Sequence, residues 1–139
     1  MPEPQSKPIA RLKKISPQFV VPDVVTAAEY YRDVFGFTIR GYWRNPPVFA
    51  IVARDDVEIQ LGKADARESP APNTMRRKGG LDVYNWVSDV DTLYAELRDR
   101  GAKIVEPPEL RIYKCYEMVV EDKLGYRLVF SIDVSGQTS

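Results

Sequence analysis

No histidine occurs anywhere in the 139-residue chain. That absence removes the commonest general base near neutral pH and the commonest nitrogen ligand for metals, and it excludes Ser-His-Asp and Cys-His catalysis. A metal site would have to be built from oxygen ligands, which favour hard cations such as magnesium or calcium. Cysteine is nearly absent too. Cys115 stands alone, so no internal disulfide can form, and a reducing cytoplasm is the expected compartment. Its expected role is that of a small buried apolar filler. Net charge is also missing: twenty basic residues balance twenty acidic ones, leaving no general field to draw in nucleic acid or an anionic membrane. No apolar run approaches transmembrane length. The opening "MPEPQSKPIARLKK" lacks the apolar core of a secretory signal and reads as a mobile arm. No nucleic-acid or membrane partner is expected.

What the chain does contain is a repeat. "PDVVTAAEYYRDVFGF" (22–37) and "SDVDTLYAELRDRGAKI" (88–104) share one order: an apolar run, an Asp, a helix-like stretch, a Gly and a new apolar run. A shift of 66 residues lays Val21-Pro22-Asp23-Val24 on Val87-Ser88-Asp89-Val90. Asp23 and Asp89 stand where an N-cap carboxylate accepts from the free amides of a first helical turn. Ala27, Tyr30, Tyr31 and Val34 form one apolar stripe, and Val90, Leu93, Tyr94 and Leu97 form another, so each helix is predicted to cover a sheet. Gly36 and Gly101 follow the last turns, where a left-handed residue is easiest without a Cβ.

Strand patterns surround each helix. In the first half they are "ISPQFVV" (15–21), "FTIRGYW" (37–43), "PVFAIVA" (47–53) and "VEIQLG" (57–62), with Asp55-Asp56 turning the third into the fourth. In the second half they are "LDVYNWV" (81–87), "KIVE" (103–106), "RIYKCYEMVV" (111–120) and "YRLVFSI" (126–132), with breaks at Pro107-Pro108 and "EDKLG" (121–125). Each half is strand, helix, three strands. The expected organisation is an arm at 1–12, modules at 13–62 and 80–134, a Pro-, Gly- and charge-rich connector at 63–79, and a tail at 135–139, with both modules in one domain. Each helix can cover only one face of its sheet. The opposite faces are then free to curve towards one another and line a cavity.

The stretches "VPDVVTAAEYYRDVFGF", "SDVDTLYAELRDRGAKIVEPP" and "EDKLGYRLVFSID" resemble the vicinal oxygen chelate superfamily, which includes glyoxalase I, extradiol dioxygenases and the fosfomycin and bleomycin resistance proteins. The resemblance implies an α+β fold of two βαβββ modules forming an incompletely closed barrel or U-shaped mixed sheet, usually in a homodimer. In metal-dependent members, side chains on the first and last strands of the modules converge on one divalent ion. The matching positions here are Ser16, Gln60, Asp82 and Val129. Val129 cannot coordinate and Ser16 is a weak neutral donor, so neither a metal nor another cofactor is expected.

By strand alternation, Ser16, Gln18 and Val20 share a face with that ligand position. So do Glu58 and Gln60; Asp82, Tyr84 and Trp86; and Arg127, Val129 and Ser131. Gln18, Glu58, Gln60, Asp82, Tyr84, Trp86 and Arg127 are therefore the candidate ligand-binding residues. Aromatic plates beside carboxylates and amides suit a flat or cationic organic molecule. Tyr42, Trp43, Phe49, Tyr113 and Tyr116 are further candidates whose facing alternation does not decide. The plain alternative gives the aromatics ordinary packing roles, leaves Glu58 in solvent and joins Asp82 to Arg127 in a structural ion pair. Three functions follow: a metal-free protein that sequesters an aromatic or cationic small molecule; a lyase, isomerase or dioxygenase-like enzyme using cleft carboxylates, a tyrosine or an atypical divalent ion; or an accessory partner-binding module with a vestigial cleft.

Overall fold

The computed structural model describes residues 7–65 and 69–136. The first six residues of the arm, residues 66–68 of the connector and residues 137–139 of the tail lie outside them. The order of elements is β1 (Gln18–Val21), α1 (Val24–Phe35), β2 (Thr38–Trp43), β3 (Phe49–Arg54), β4 (Val57–Lys63), β5 (Val83–Trp86), α2 (Val90–Asp99), β6 (Lys103–Leu110), β7 (Cys115–Glu121) and β8 (Arg127–Asp133). A short 3-10 turn, Asn73–Met75, lies in the connector. Each module is a βαβββ unit with its own four-stranded mixed sheet, ordered β1-β4-β3-β2 and β5-β8-β7-β6. The sheets do not close into a barrel.

Both helices start where the sequence places them. Asp23 accepts from the backbone N–H groups of Val25 and Thr26, and Asp89 accepts from that of Thr92. Gly36 ends α1 at φ 73°, a left-handed conformation that an L side chain rarely adopts. Its Cα is also crowded, because a Cβ there would lie 2.8 Å from Nη1 of Arg54. The buried stripe of α1 is Val24, Ala28, Tyr31 and Phe35, while Ala27, Tyr30 and Val34 are only partly buried. The predicted face is thus rotated slightly around the helix axis.

Pro107-Pro108 does not end β6, which runs through both prolines. Register shifts flank them, and β6 is the edge of its sheet, where a missing N–H leaves no neighbour unpaired. The strand expected over 111–120 divides instead into a turn and β7.

One core unites the modules, and it joins their helix-covered faces. Phe19, Val21, Ile59 and Leu61 of the first sheet share it with Met118, Val120, Leu128 and Phe130 of the second, together with side chains of both helices. The Phe19 and Tyr126 rings stack at 4.3 Å with 2° between their planes, and the Tyr126 hydroxyl donates to the Val20 carbonyl at 2.7 Å. Tyr31 donates to Asp122 at 2.8 Å, and Arg54 grips Glu96 through two bonds of 2.8 and 2.7 Å. Within the chain it is therefore the helix-covered faces that meet. Bringing the helix-covered sides of both sheets into one core removes their apolar side chains from water, and the uncovered faces lie outside that core.

Candidate functional site

Register fixes which side chains share each uncovered face. Gln18 pairs with Gln60 across β1 and β4, and Tyr84 pairs with Val129 across β5 and β8, so these are equivalent positions of the two modules. On the first sheet, Ser16, Gln18, Glu58 and Gln60 lie together with Phe49 and Trp43. Gln18 donates to Gln60 at 3.3 Å; Ser16 donates to Glu58 at 2.5 Å, and Lys14 donates to the same carboxylate at 3.2 Å. These two donors hold the Glu58 carboxyl below its ordinary pKa, Ser16 contributing most. Beside them the rings of Trp43 and Phe49 meet edge to face at 5.4 Å.

The second face is more aromatic and hides a carboxylate. Tyr84 and Trp86 meet at 5.1 Å and are 40% and 61% exposed. Glu117 is buried on the same face, which it shares with Val119, Val129 and its register partner Ser131. Its Oε1 accepts from Tyr84 at 2.6 Å and from Ser131 at 3.4 Å, and its Oε2 accepts from Tyr113 at 2.8 Å. Burial, followed by the bond to Glu117, pushes the Tyr84 phenol well above its ordinary pKa and the Tyr113 phenol up to about 12. Both phenols are therefore neutral donors at physiological pH.

Asp82 and Arg127 do not form the expected side-chain pair. The Asp82 carboxylate accepts backbone N–H bonds from Asn73 and Arg127, both at 2.8 Å, so it pins the connector to the start of β8. The Arg127 guanidinium turns to Glu121 at 3.3 Å. Gln18 and Asp82 line one cavity of about 370 Å³ beneath the connector. Trp86 lines another of about 450 Å³ at the seam, floored by Phe35, Phe37 and Phe130. Among the described residues, no hydrogen bond or ring contact joins Gln18, Glu58 or Gln60 to Tyr84 or Trp86. Gln18 and Asp82 thus share a cavity, while Glu58 and Gln60 stand on one wall and Tyr84 and Trp86 on another.

Trp43, Phe49 and Tyr113 belong to the uncovered faces, whereas Tyr116 faces α2 and donates to Asp91 at 2.6 Å. Glu117 is the residue that the sequence reading missed. Alternation along "CYEMVV" puts it in line with Cys115 and Val119, and a lone acid in that apolar row was the available signal.

The donor set does not fit a metal. Val129 carries no donor atom, the two Asp82 oxygens are engaged by backbone amides, and Ser16 and Gln60 are bonded to their neighbours. Among the described residues, no group of three or more His, Cys, Asp or Glu side chains is placed to share an ion. No helix among them is long and apolar enough to cross a membrane.

Similarity to known proteins agrees with this architecture. TioX from Micromonospora sp. ML1 superposes with a TM-score of 0.68 at 19% identity, covering 86% of this chain and 98% of that one. The bleomycin-binding protein from bleomycin-producing Streptomyces verticillus, solved with copper(II)-bleomycin, gives 0.68 at 17% identity, covering 89% and 98%. A glyoxalase-related enzyme from Clostridium phytofermentans gives 0.72 at 12%, covering 89% and 97%. No curated protein sequence matches the chain significantly. The Glyoxalase/Bleomycin resistance protein/Dioxygenase superfamily model matches residues 11–130, and with two βαβββ modules in place the chain belongs to that superfamily.

Proposed function

We infer that the protein binds an aromatic or cationic small molecule between uncovered sheet faces and sequesters it without a metal. The observation that carries this reading is the pair of exposed rings, Tyr84 and Trp86, mounted over a buried carboxylate. An aromatic surface left in water at the wall of a sheet gains by stacking on a flat ligand, and a nearby carboxylate favours a cationic one. The bleomycin-binding protein of the same fold, solved with copper(II)-bleomycin, is a precedent for a binding role on this architecture. Both Glu117 oxygens already accept hydrogen bonds, which leaves this acid poorly placed as a general base.

Because the helix-covered faces meet within the chain, each uncovered face is a single wall. A homodimer that sets the first sheet of one copy against the second sheet of its partner supplies the missing side. That arrangement would place Gln18, Glu58, Gln60 and Trp43 opposite Tyr84 and Trp86.

Calorimetric titration with quinoline and acridine tests the binding role, and sedimentation tests the dimer. Trp86→Ala is expected to weaken binding tenfold or more, about 1.4 kcal/mol, and the sedimenting mass is expected to be that of two chains. Unchanged affinity in both Trp86→Ala and Tyr84→Phe would remove this site. Stoichiometric metal in the purified protein, accompanied by turnover of thiol-adduct or catechol substrates, would move the reading to an enzyme.

A further inference from the structure

Glu117 is 2% exposed and bonded to three neutral hydroxyls, yet its cationic neighbour stands off. Arg111 Nε lies 3.7 Å from Oε2, beyond hydrogen-bond distance. The terminal nitrogens of Arg111 are turned instead to Glu106 and to Glu109, the latter at 3.0 Å. Those two carboxylates are 49% and 64% exposed, so water competes with the guanidinium for them and weakens each pair. Three carboxylates thus share one cation.

The backbone beneath Arg111 is fixed, and its side chain, 22% exposed, is bonded to Glu106 and Glu109 and not to Glu117. Its N–H donates to the Cys115 carbonyl at 2.8 Å, and its carbonyl accepts from Lys114 at 3.1 Å, closing the hairpin between β6 and β7. The partly exposed rings of Tyr84 and Tyr113 contact the carboxylate, and the Trp86 ring lies against Tyr84. Their faces carry negative quadrupoles and attract a cation, and a buried carboxylate gains most from a partner that excludes water.

We propose that Glu117 is the anchor for an organic cation carried on an aromatic ligand, and that Arg111 is the built-in cation which such a ligand displaces. The proposal rests on the ligand-binding reading above and specifies its charge. A quaternary aromatic nitrogen would lie against the Trp86 and Tyr84 rings with its charge directed at Oε2, while Arg111 would give up its approach to Oε2 and keep the two solvated partners it already holds. A neutral ring of the same shape would gain the stacking and leave Arg111 in place.

N-methylquinolinium and quinoline, titrated at pH 8 into the full chain and followed by calorimetry, separate these outcomes. The wild type is expected to prefer the cation at least tenfold. Arg111→Met is expected to raise affinity for N-methylquinolinium three- to tenfold and to leave quinoline unchanged, since the competitor is gone. Glu117→Gln is expected to abolish the preference while quinoline still binds. Equal binding of the two probes by the wild type, or weaker cation binding in Arg111→Met, overturns the proposal but leaves the ligand-binding reading standing. Failure of both probes to bind overturns that reading and this one together. The wild-type ratio and the Arg111→Met variant decide the matter even if Glu117→Gln does not fold.

Discussion

The two modules use similar backbones to present different chemistry. At equivalent register positions the first sheet has Gln18 beside Gln60, joined by a hydrogen bond, and the second has Tyr84 beside Val129. Glu58 on the first face takes a lysine and a serine; Glu117 on the second takes two phenols and a serine beneath exposed rings. The helix-covered sides are far more alike: each opens on an Asp cap, ends near a positive-φ glycine and contributes aliphatic and aromatic side chains to one core. The lesson is a division of labour by face. Packing restricts the covered side, where any change in volume is felt by neighbours, whereas uncovered positions can diverge with little cost to the fold.

That division is broken most severely by changing a residue at the seam. Phe19→Ala removes the ring stacked on Tyr126 and is expected to cost about 3–5 kcal/mol in urea denaturation. Trp86→Ala, on an exposed ring, is expected to stay within about 0.5 kcal/mol. Equal losses would erase the distinction between the faces.

The terminal glycines sharpen the comparison at a smaller scale. Gly36 has φ +73° and its added Cβ would crowd Arg54, whereas Gly101 has φ +90° with nothing within 4 Å. Gly36→Ala is therefore expected to cost about 2–3 kcal/mol and Gly101→Ala about 1–2 kcal/mol, both read from denaturation midpoints. A reversed order would show that the Arg54 contact is not a constraint.

A pH dependence is expected from the same seam. Arg54, followed by the weaker effect of Arg100, holds the Glu96 carboxyl below its ordinary value of 4.5. A depressed folded pKa means that its stabilisation is fully present above that value and is lost as pH falls through the folded one. Glu96→Gln is expected to lower stability by about 1–2 kcal/mol at pH 7 and to flatten the part of the acid limb just below pH 4.5. An unchanged acid limb would count against the pair.

Much of the fold could be read in the sequence because its signals are local. The Asp caps, the Gly terminators and the Asp55-Asp56 turn each act within a few residues, and strand alternation correctly grouped Ser16, Gln18, Glu58 and Gln60. What alternation cannot supply is which faces of two modules meet. That depends on pairs such as Phe19 with Tyr126 and Tyr31 with Asp122, which lie 107 and 91 residues apart along the chain. The Asp82 partner was missed for a related reason: the carboxylate bonds backbone amides, and a backbone amide leaves no mark in a residue name. Glu117 escaped because an acid on a strand ordinarily faces solvent, and only the Tyr84 and Tyr113 hydroxyls make its burial tolerable. The two prolines of β6 read as a break until the strand is known to be an edge.

The chain has two tryptophans, Trp43 and Trp86, and each sits on a different uncovered face. Quinoline titrated into Trp43→Phe and Trp86→Phe, with the remaining tryptophan's fluorescence as readout, therefore interrogates each wall separately. If the first sheet of one copy and the second sheet of another enclose a single ligand, both variants will show quenching with midpoints that agree within about twofold. A response from Trp86 alone, or two unrelated midpoints, would contradict a site built from both walls.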